Sequence, residues 1–320
     1  MVTRGLLLAI AATACVQAGA FDLEGHRGAR GLAPENTLAA FRRAIDIGVT
    51  TIETDIAVTR DLVPVISHNP NLVPELVRGP SGRWLATPGP SIHSLTLDEL
   101  RRYDIGRLNP ATKYARDFPE QTPSDGERFP TLRELLQLVA SSGKPVRLNI
   151  ETKITPDNAG DTVDAPTFVR LILDEVRRAK LEDRVTIQSF DWRTLVEAKR
   201  AAPQIPTSCL TIEAKGMNTM AIGTDGRSPW HAGLKDDYRS VPALARAAGC
   251  STWSMYWQNL TQAQVVDAHA MGLIVLPWTV DELTDMGKLL DMGVDGIITD
   301  YPDRLRKLLA QRGLPLPAQR

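Results

Sequence analysis

The chain has 320 residues, with 37 basic against 38 acidic side chains and a formal net charge of −1. That balance speaks against a general nucleic-acid binder, whose domain would be strongly basic. With 43% apolar and 23% charged residues, and no run near the ~18–20 apolar residues of a spanning helix, disordered and membrane-spanning chains are set aside too.

In chain order, Arg4 precedes an apolar stretch from Leu6 to Val16, and Ala18-Gly19-Ala20 supplies small residues at a cleavage position. This is the layout of a secretory signal peptide over residues 1–20. The chain is therefore expected to be exported, to a periplasm first and to the outside otherwise, with residues 21–320 as the folded unit. Cys209 and Cys250 then remain. Their apolar, strand-like surroundings favour two buried free thiols over a disulfide.

From residue 21, strand-like runs alternate with helical patterns. Strands are predicted at Asp22–His26, Thr51–Val58, Val63–Ser67, Val146–Lys153, Arg184–Ser189, Pro206–Thr211, Ser251–Met255, Leu273–Trp278 and Gly296–Thr299. Several are near-continuous apolar runs, as expected of strands covered by helices. Asn36 is the predicted cap of a helix whose Leu38, Phe41 and Ile45 share a face. Thr131 with Glu134, and Thr261 with Gln264, predict capping boxes, while Gly48, Gly249, Gly272 and Gly293 predict helix ends. The link Thr59–Leu62 is too short for a parallel crossover, so the strands on either side should form a hairpin. Centred on Arg60-Asp61, that hairpin sets His68 opposite Glu53. Between Asn69 and Pro130 the chain holds nine of its 22 prolines and one predicted helix, Thr96–Tyr103. Residues 69–130 thus read as an insertion at one end of a regular βα fold, either a parallel barrel or a doubly wound sheet.

Polar residues gather at three strand ends: Gly25-His26-Arg27-Gly28, the stretch from Glu53-Thr54-Asp55 to Ser67-His68-Asn69, and Asn149-Ile150-Glu151-Thr152-Lys153. A spacing of two puts Glu53 with Asp55, and Glu151 with Lys153, on one strand face. Three confined carboxylates do not all stay ionised without a cation, and oxygen ligands favour Ca²⁺ or Mg²⁺. His26 and His68 follow strands beside these carboxylates and are suited to divide proton removal and proton donation. His93, His231 and His269 stand in scattered loop or helical contexts and read as structural. Three carboxylates, a divalent cation, Arg27 and Lys153 leave one positive charge, which complements a phosphodiester monoanion.

His26-Arg27-Gly28, Pro34-Glu35-Asn36-Thr37-Leu38, Glu53-x-Asp55, Thr59-Arg60-Asp61 and Pro64-Val65-Ile66-Ser67-His68 occur in that order. Ile150-Glu151-x-Lys153, Gln188-Ser189-Phe190, Trp278-Thr279-Val280 and Asp295-Gly296-Ile297-Ile298-Thr299-Asp300-x-Pro302 follow. Together they resemble the glycerophosphodiester phosphodiesterase family over nearly all of residues 21–320. The resemblance implies a TIM (β/α)8 barrel with a small insertion subdomain after the third strand. It also implies metal-dependent hydrolysis of glycerophosphodiesters to glycerol 3-phosphate and an alcohol, with water or the glycerol 2-hydroxyl as nucleophile. By the same resemblance Glu53, Asp55 and Glu151 would hold one divalent cation, Ca²⁺ or Mg²⁺, and His26 and His68 would be the acid–base pair. Arg27 would bind the phosphate, with Lys153 nearby. One position departs from the family: Asn69 stands where it usually has Asp, keeping an acceptor oxygen beside His68 but removing a charge. Two other functions fit such a barrel. A sphingomyelinase D-like phosphodiesterase would use aromatics such as Trp84 to dock on membranes, and a non-catalytic binding protein would be argued from Asn69 alone.

Overall fold

A computed structural model describes residues 21–157, 160–235 and 238–316. The expected signal segment, residues 1–20, lies outside the described residues. The strands are β1 (Asp22–Gly25), β2 (Thr51–Val58), β3 (Pro64–Ile66), β4 (Arg147–Thr152), β5 (Val185–Ser189), β6 (Thr207–Thr211), β7 (Glu213–Ala214), β8 (Met217–Asn218), β9 (Thr252–Met255), β10 (Ile274–Val275) and β11 (Gly296–Thr299). Each strand predicted from the apolar runs is present; β2 and β11 keep the predicted bounds and the others are shorter. The short ribbon of β7 with β8 has no such run to announce it.

Eight of these strands lie parallel in the order β10-β9-β6-β5-β4-β2-β1-β11. The seam between β10 and β11 is bridged by the Asp295 amide to the Val275 carbonyl (3.1 Å) and the Ile298 amide to the Pro277 carbonyl (3.0 Å). The sheet thus curls into a TIM (β/α)8 barrel instead of opening into a doubly wound sheet. The helices are α1 (Leu38–Ile47), α2 (Leu97–Leu100), α3 (Lys113–Asp117), α4 (Leu132–Ser141), α5 (Ala165–Ala179), α6 (Trp192–Ala201), α7 (Val241–Ala247), α8 (Gln262–Ala270), α9 (Leu283–Met292) and α10 (Pro302–Gln311), and all but α2 and α3 belong to the barrel. Phe41, Ala44 and Ile45 of α1, and Phe168, Ile172 and Val176 of α5, join strand residues such as Ile52, Leu148 and Ile187 in one apolar core. Each of the Phe, Ile, Leu and Val side chains among them stabilises the fold by about 1.5–3 kcal/mol relative to exposure. Both capping boxes form, and Gly48 and Gly293 close α1 and α9 in the left-handed conformation.

Three expectations need correction. The cap of α1 is Thr37, whose side chain accepts from the Ala40 amide; Asn36 is taken up by strand β2 instead. The hairpin register pairs Ile56 with Ile66 and Val58 with Pro64, so position 68 falls opposite Thr54 and not Glu53. The shift arises because Leu62 adopts φ 62, giving a three-residue loop closed by the Thr59–Val63 hydrogen bonds. Cys209 and Cys250 form a disulfide and are not free thiols. Cys209 lies in β6, and Cys250 just precedes its neighbour β9, which brings their Cα atoms to 5.9 Å.

Residues 69–130 leave after β3 and return at α4. They carry α2 and α3 and gather Leu72, Val77, Ile92, Leu100, Ile105 and Phe129 against Ala57 and Val65 of the hairpin. Where β1 runs into α1 the backbones touch: a Cβ on Gly28, at φ 89, would lie 2.7 Å from the Ala40 carbonyl carbon. Only glycine fits there, and it turns the chain so that Arg27 faces the barrel.

Candidate active site

The strand C-termini bring all seven expected site residues to one end of the barrel. Register sets Asp55 beside Glu151 on adjacent strands β2 and β4. Glu53, Asp55 and Glu151 each present an oxygen within 4.8 Å of the others, and all three are buried. His26, Arg27, Glu53, His68 and Glu151 line a common cavity of about 480 Å³, closed on one side by Phe190, Leu210 and Trp278. The Trp278 ring stands edge-on to Phe190, with centroids 5.5 Å apart.

Each carboxylate is held by neutral or cationic donors. Glu53 accepts from the Arg27 amide and from Gln188 Nε2, both at 2.9 Å. Asn149 donates at 3.0 Å to Gln188 Oε1 and to Glu24 Oε2, which fixes the amide orientation. Asp55 Oδ2 accepts from Asn36 Nδ2 at 2.9 Å, and the Arg27 Nε lies 3.4 Å away. Glu151 Oε1 accepts from Lys153 Nζ at 2.8 Å, and that ammonium is 3.6 Å from Asp55. Arg27 also donates to Glu35 at 2.6 Å, and Glu35 in turn accepts from the Tyr114 hydroxyl.

The electrostatics divide the group. Burial, then repulsion from Asp55 and Glu151, pushes Glu53 well above the usual carboxylate range. Burial likewise raises Glu151 to about 7, although Lys153 opposes it. Asp55 is buried too, but the Lys153 and Arg27 charges and the Asn36 hydrogen bond outweigh that and hold it low. Three converging buried carboxylates, two of them reluctant to ionise, form a hard, all-oxygen donor set that fits a divalent cation such as Ca²⁺ or Mg²⁺. Glu53, Asp55 and Glu151 are the residues that would hold it.

The two imidazoles are neutral. Burial, helped by the Arg30 charge, lowers His26 to about 4. Its Nδ1 lies 2.6 Å from Asp300 Oδ1, so that nitrogen carries the proton and Nε2 keeps its lone pair, 3.9 Å from Glu53. Asp300 is itself clamped by Arg30 through Nε at 2.8 Å and Nη2 at 2.6 Å. Burial, with Arg27 and Lys153 adding to it, lowers His68 as well. Asn69 Oδ1 accepts from its Nδ1 at 3.1 Å, so the acceptor that the usual Asp would supply is retained without the charge.

Asn36, Gln188, Asp300, Arg30 and Tyr114 hold the site together, yet spacing alone gave them no role. Asp300 carried the best available signal, since it follows β11 at the same strand end as His26 follows β1. His93, His231 and His269 stand away from the cavity.

Comparison with known proteins agrees with this geometry. The model of the Glycerophosphoryl diester phosphodiesterase family matches residues 26–304. A glycerophosphodiester phosphodiesterase of Caldanaerobacter subterraneus subsp. tengcongensis is 28% identical over 292 residues, covering 90% of this chain and 97% of that protein. The solved structure of a family protein from Silicibacter pomeroyi superposes with a TM-score of 0.82 at 38% identity, covering 91% of this chain and 93% of its own. A phosphodiesterase from Oleispira antarctica, solved in complex with the product sn-glycerol-3-phosphate, shares the fold with a TM-score of 0.66 at 22% identity; the match covers 90% of this chain and 96% of that one.

Proposed function

The chain belongs to the glycerophosphoryl diester phosphodiesterase family, and on that footing we propose that it hydrolyses glycerophosphodiesters to glycerol 3-phosphate and an alcohol by metal-dependent His/His acid–base catalysis. The observation that carries this reading is that three buried carboxylates converge, and two of them, Glu53 and Glu151, share one cavity with two oriented imidazoles. A cation held by Glu53, Asp55 and Glu151 supplies Lewis-acid polarisation of the phosphoryl group when bound.

The rest falls to the chain's own side chains. Arg27 and Lys153 offset the charge that develops on the phosphoryl oxygens, each already desolvated beside the carboxylates. His26, its Nδ1 proton committed to Asp300, offers Nε2 to the reacting centre. His68 offers its own Nε2, with Nδ1 held by Asn69. One imidazole takes the proton of the nucleophile on its free Nε2; the other takes up a solvent proton on Nε2 beforehand and passes it to the departing alkoxide, and the first returns its proton to solvent, so each is used once per turnover. Phe190, Leu210 and Trp278 give the glycerol carbons an apolar wall. Because Asn69 still orients His68, the one argument for a non-catalytic binding protein loses its weight.

Export to an oxidising compartment, a periplasm first, is part of this proposal. It rests on the signal-like layout of residues 4–20 and is supported by the Cys209–Cys250 disulfide. The test of the reaction is product identity by phosphorus NMR with glycerophosphocholine. Glycerol 3-phosphate and free choline are expected; phosphocholine and glycerol, or no product, would contradict it.

A further inference from the structure

Beside the catalytic cavity lies a second, wider space of about 940 Å³, and nothing above assigns it a ligand. The two share Arg27, Arg30 and His68, so they meet at the reacting centre. The outer groove is walled by the segment after β3, which contributes Glu75, and by α3, which contributes Lys113 and Tyr114. A diester has two arms. If the glycerol phosphate fills the inner cavity, the groove that shares Arg27, Arg30 and His68 with it is the space open to the second arm.

The charges lining the groove are nearly all committed. Arg27 is paired with Glu35 and Asp55, and Arg30 with Asp300. Lys113 meets Asp117 at 2.8 Å, and His68 is neutral. The Tyr114 hydroxyl is given to Glu35. Glu75 is the exception: among the described residues its carboxylate has no hydrogen bond and no ion pair. Its backbone is nonetheless fixed, because the Asn109 amide donates to the Glu75 carbonyl at 2.8 Å and Asn109 Nδ2 donates to the Pro74 carbonyl at 3.1 Å. A half-buried, unpaired carboxylate presented from a pinned backbone is a receptor for a cation.

We propose that this groove binds the leaving alcohol and that Glu75 makes it selective for alcohols bearing a positive charge, amino-alcohols of the ethanolamine or choline type. The inference rests on the reaction proposed above and adds the substrate class. Its basis is Coulombic: one unpaired carboxylate in the groove favours an ammonium over a neutral polyol by a factor of about 5–10, and rising salt weakens the preference.

The test compares kcat/KM for glycerophosphoethanolamine and glycerophosphocholine with that for the neutral glycerophosphoglycerol, in wild type, Glu75→Gln and Glu75→Lys. The cationic-to-neutral ratio is expected to fall about 5–10-fold in Glu75→Gln, further in Glu75→Lys, and to lose its salt dependence in Glu75→Gln. A ratio is internal to each variant, so partial misfolding cancels. A ratio that stays within about two-fold of wild type in both variants overturns the subsite while leaving the reaction standing. If wild type hydrolyses none of the three diesters, the reaction fails and the subsite falls with it.

Discussion

Single side chains at the barrel mouth owe their chemistry to partners from distant segments. His26 depends on Asp300, which lies 274 positions along the chain and is held by Arg30 on its far side. Asp300 does not touch the reacting centre; it is a positioning residue that fixes which imidazole nitrogen carries the proton. Replacing it with Asn would let an amide N–H face Nδ1 and favour the other tautomer. Asp300→Asn is expected to lower kcat by about 10–100-fold with little change in KM, whereas equal kcat in the variant would show that His26 needs no such partner. This dependence also explains what the sequence could and could not reveal. Glu53, Asp55 and Glu151 are readable because each lies in a strand whose alternation gives its direction, and His26 and His68 because each closely follows a strand end. Asn36 is different. It looks like a helix cap one residue ahead of the true cap, and only the folded chain shows its amide between Asp55 and Thr54.

The elements that carry these residues were legible in proportion to their apolar content. Strand β2 is buried along its whole length, and Ile52 with Ile56, Ala57 and Val58 marks it even though Glu53 and Asp55 interrupt the apolar run. Helix α3, by contrast, buries none of its five residues and has no periodicity to find, yet it forms one wall of the outer groove. The hairpin was foreseeable from its short link but not its register, because a left-handed Leu62 is a poor guess for a branched apolar side chain. Apolar context misled for the cysteines as well: buried strand positions suit a free thiol and a bridge between neighbouring strands equally. The bridge closes a loop across a sequence separation of 41, which in the chain-entropy picture stabilises the fold by about 4 kcal/mol. The double variant Cys209→Ser/Cys250→Ser should therefore unfold several degrees lower than wild type. An unchanged Tm in non-reducing buffer would mean that the strands β6 and β9 need no covalent staple.

Taken together, the barrel keeps its apolar core between sheet and helices, and one buried polar side chain away from the catalytic cavity, His231, has a consequence for stability. His231 is fully buried, stacked on Trp192 with ring centroids 4.3 Å apart, and neither ring nitrogen has a hydrogen-bond partner among the described residues. Burial lowers it to about 4 from an ordinary 6.5. Between those values the unfolded chain takes up a proton that the folded chain refuses, so stability falls as pH drops from 6.5 towards 4, by at most ~1.4 kcal/mol per pH unit. His231→Phe keeps the stacking and removes the proton site. Its Tm should decline less than that of wild type between pH 6.5 and 4.5, and parallel curves would count against the assignment.

The central claim, that the carboxylate cluster and the imidazoles form one phosphodiesterase site, is tested most directly by turnover. Metal-stripped protein would be assayed for glycerol 3-phosphate release from glycerophosphoethanolamine, with Ca²⁺ or Mg²⁺ added back, alongside His26→Ala and Glu53→Ala. The account predicts activity that returns only with metal, and a loss of about 10²-fold or more in each variant while the circular dichroism stays native. Full activity without metal, or a folded Glu53→Ala or His26→Ala that retains wild-type turnover, would contradict it.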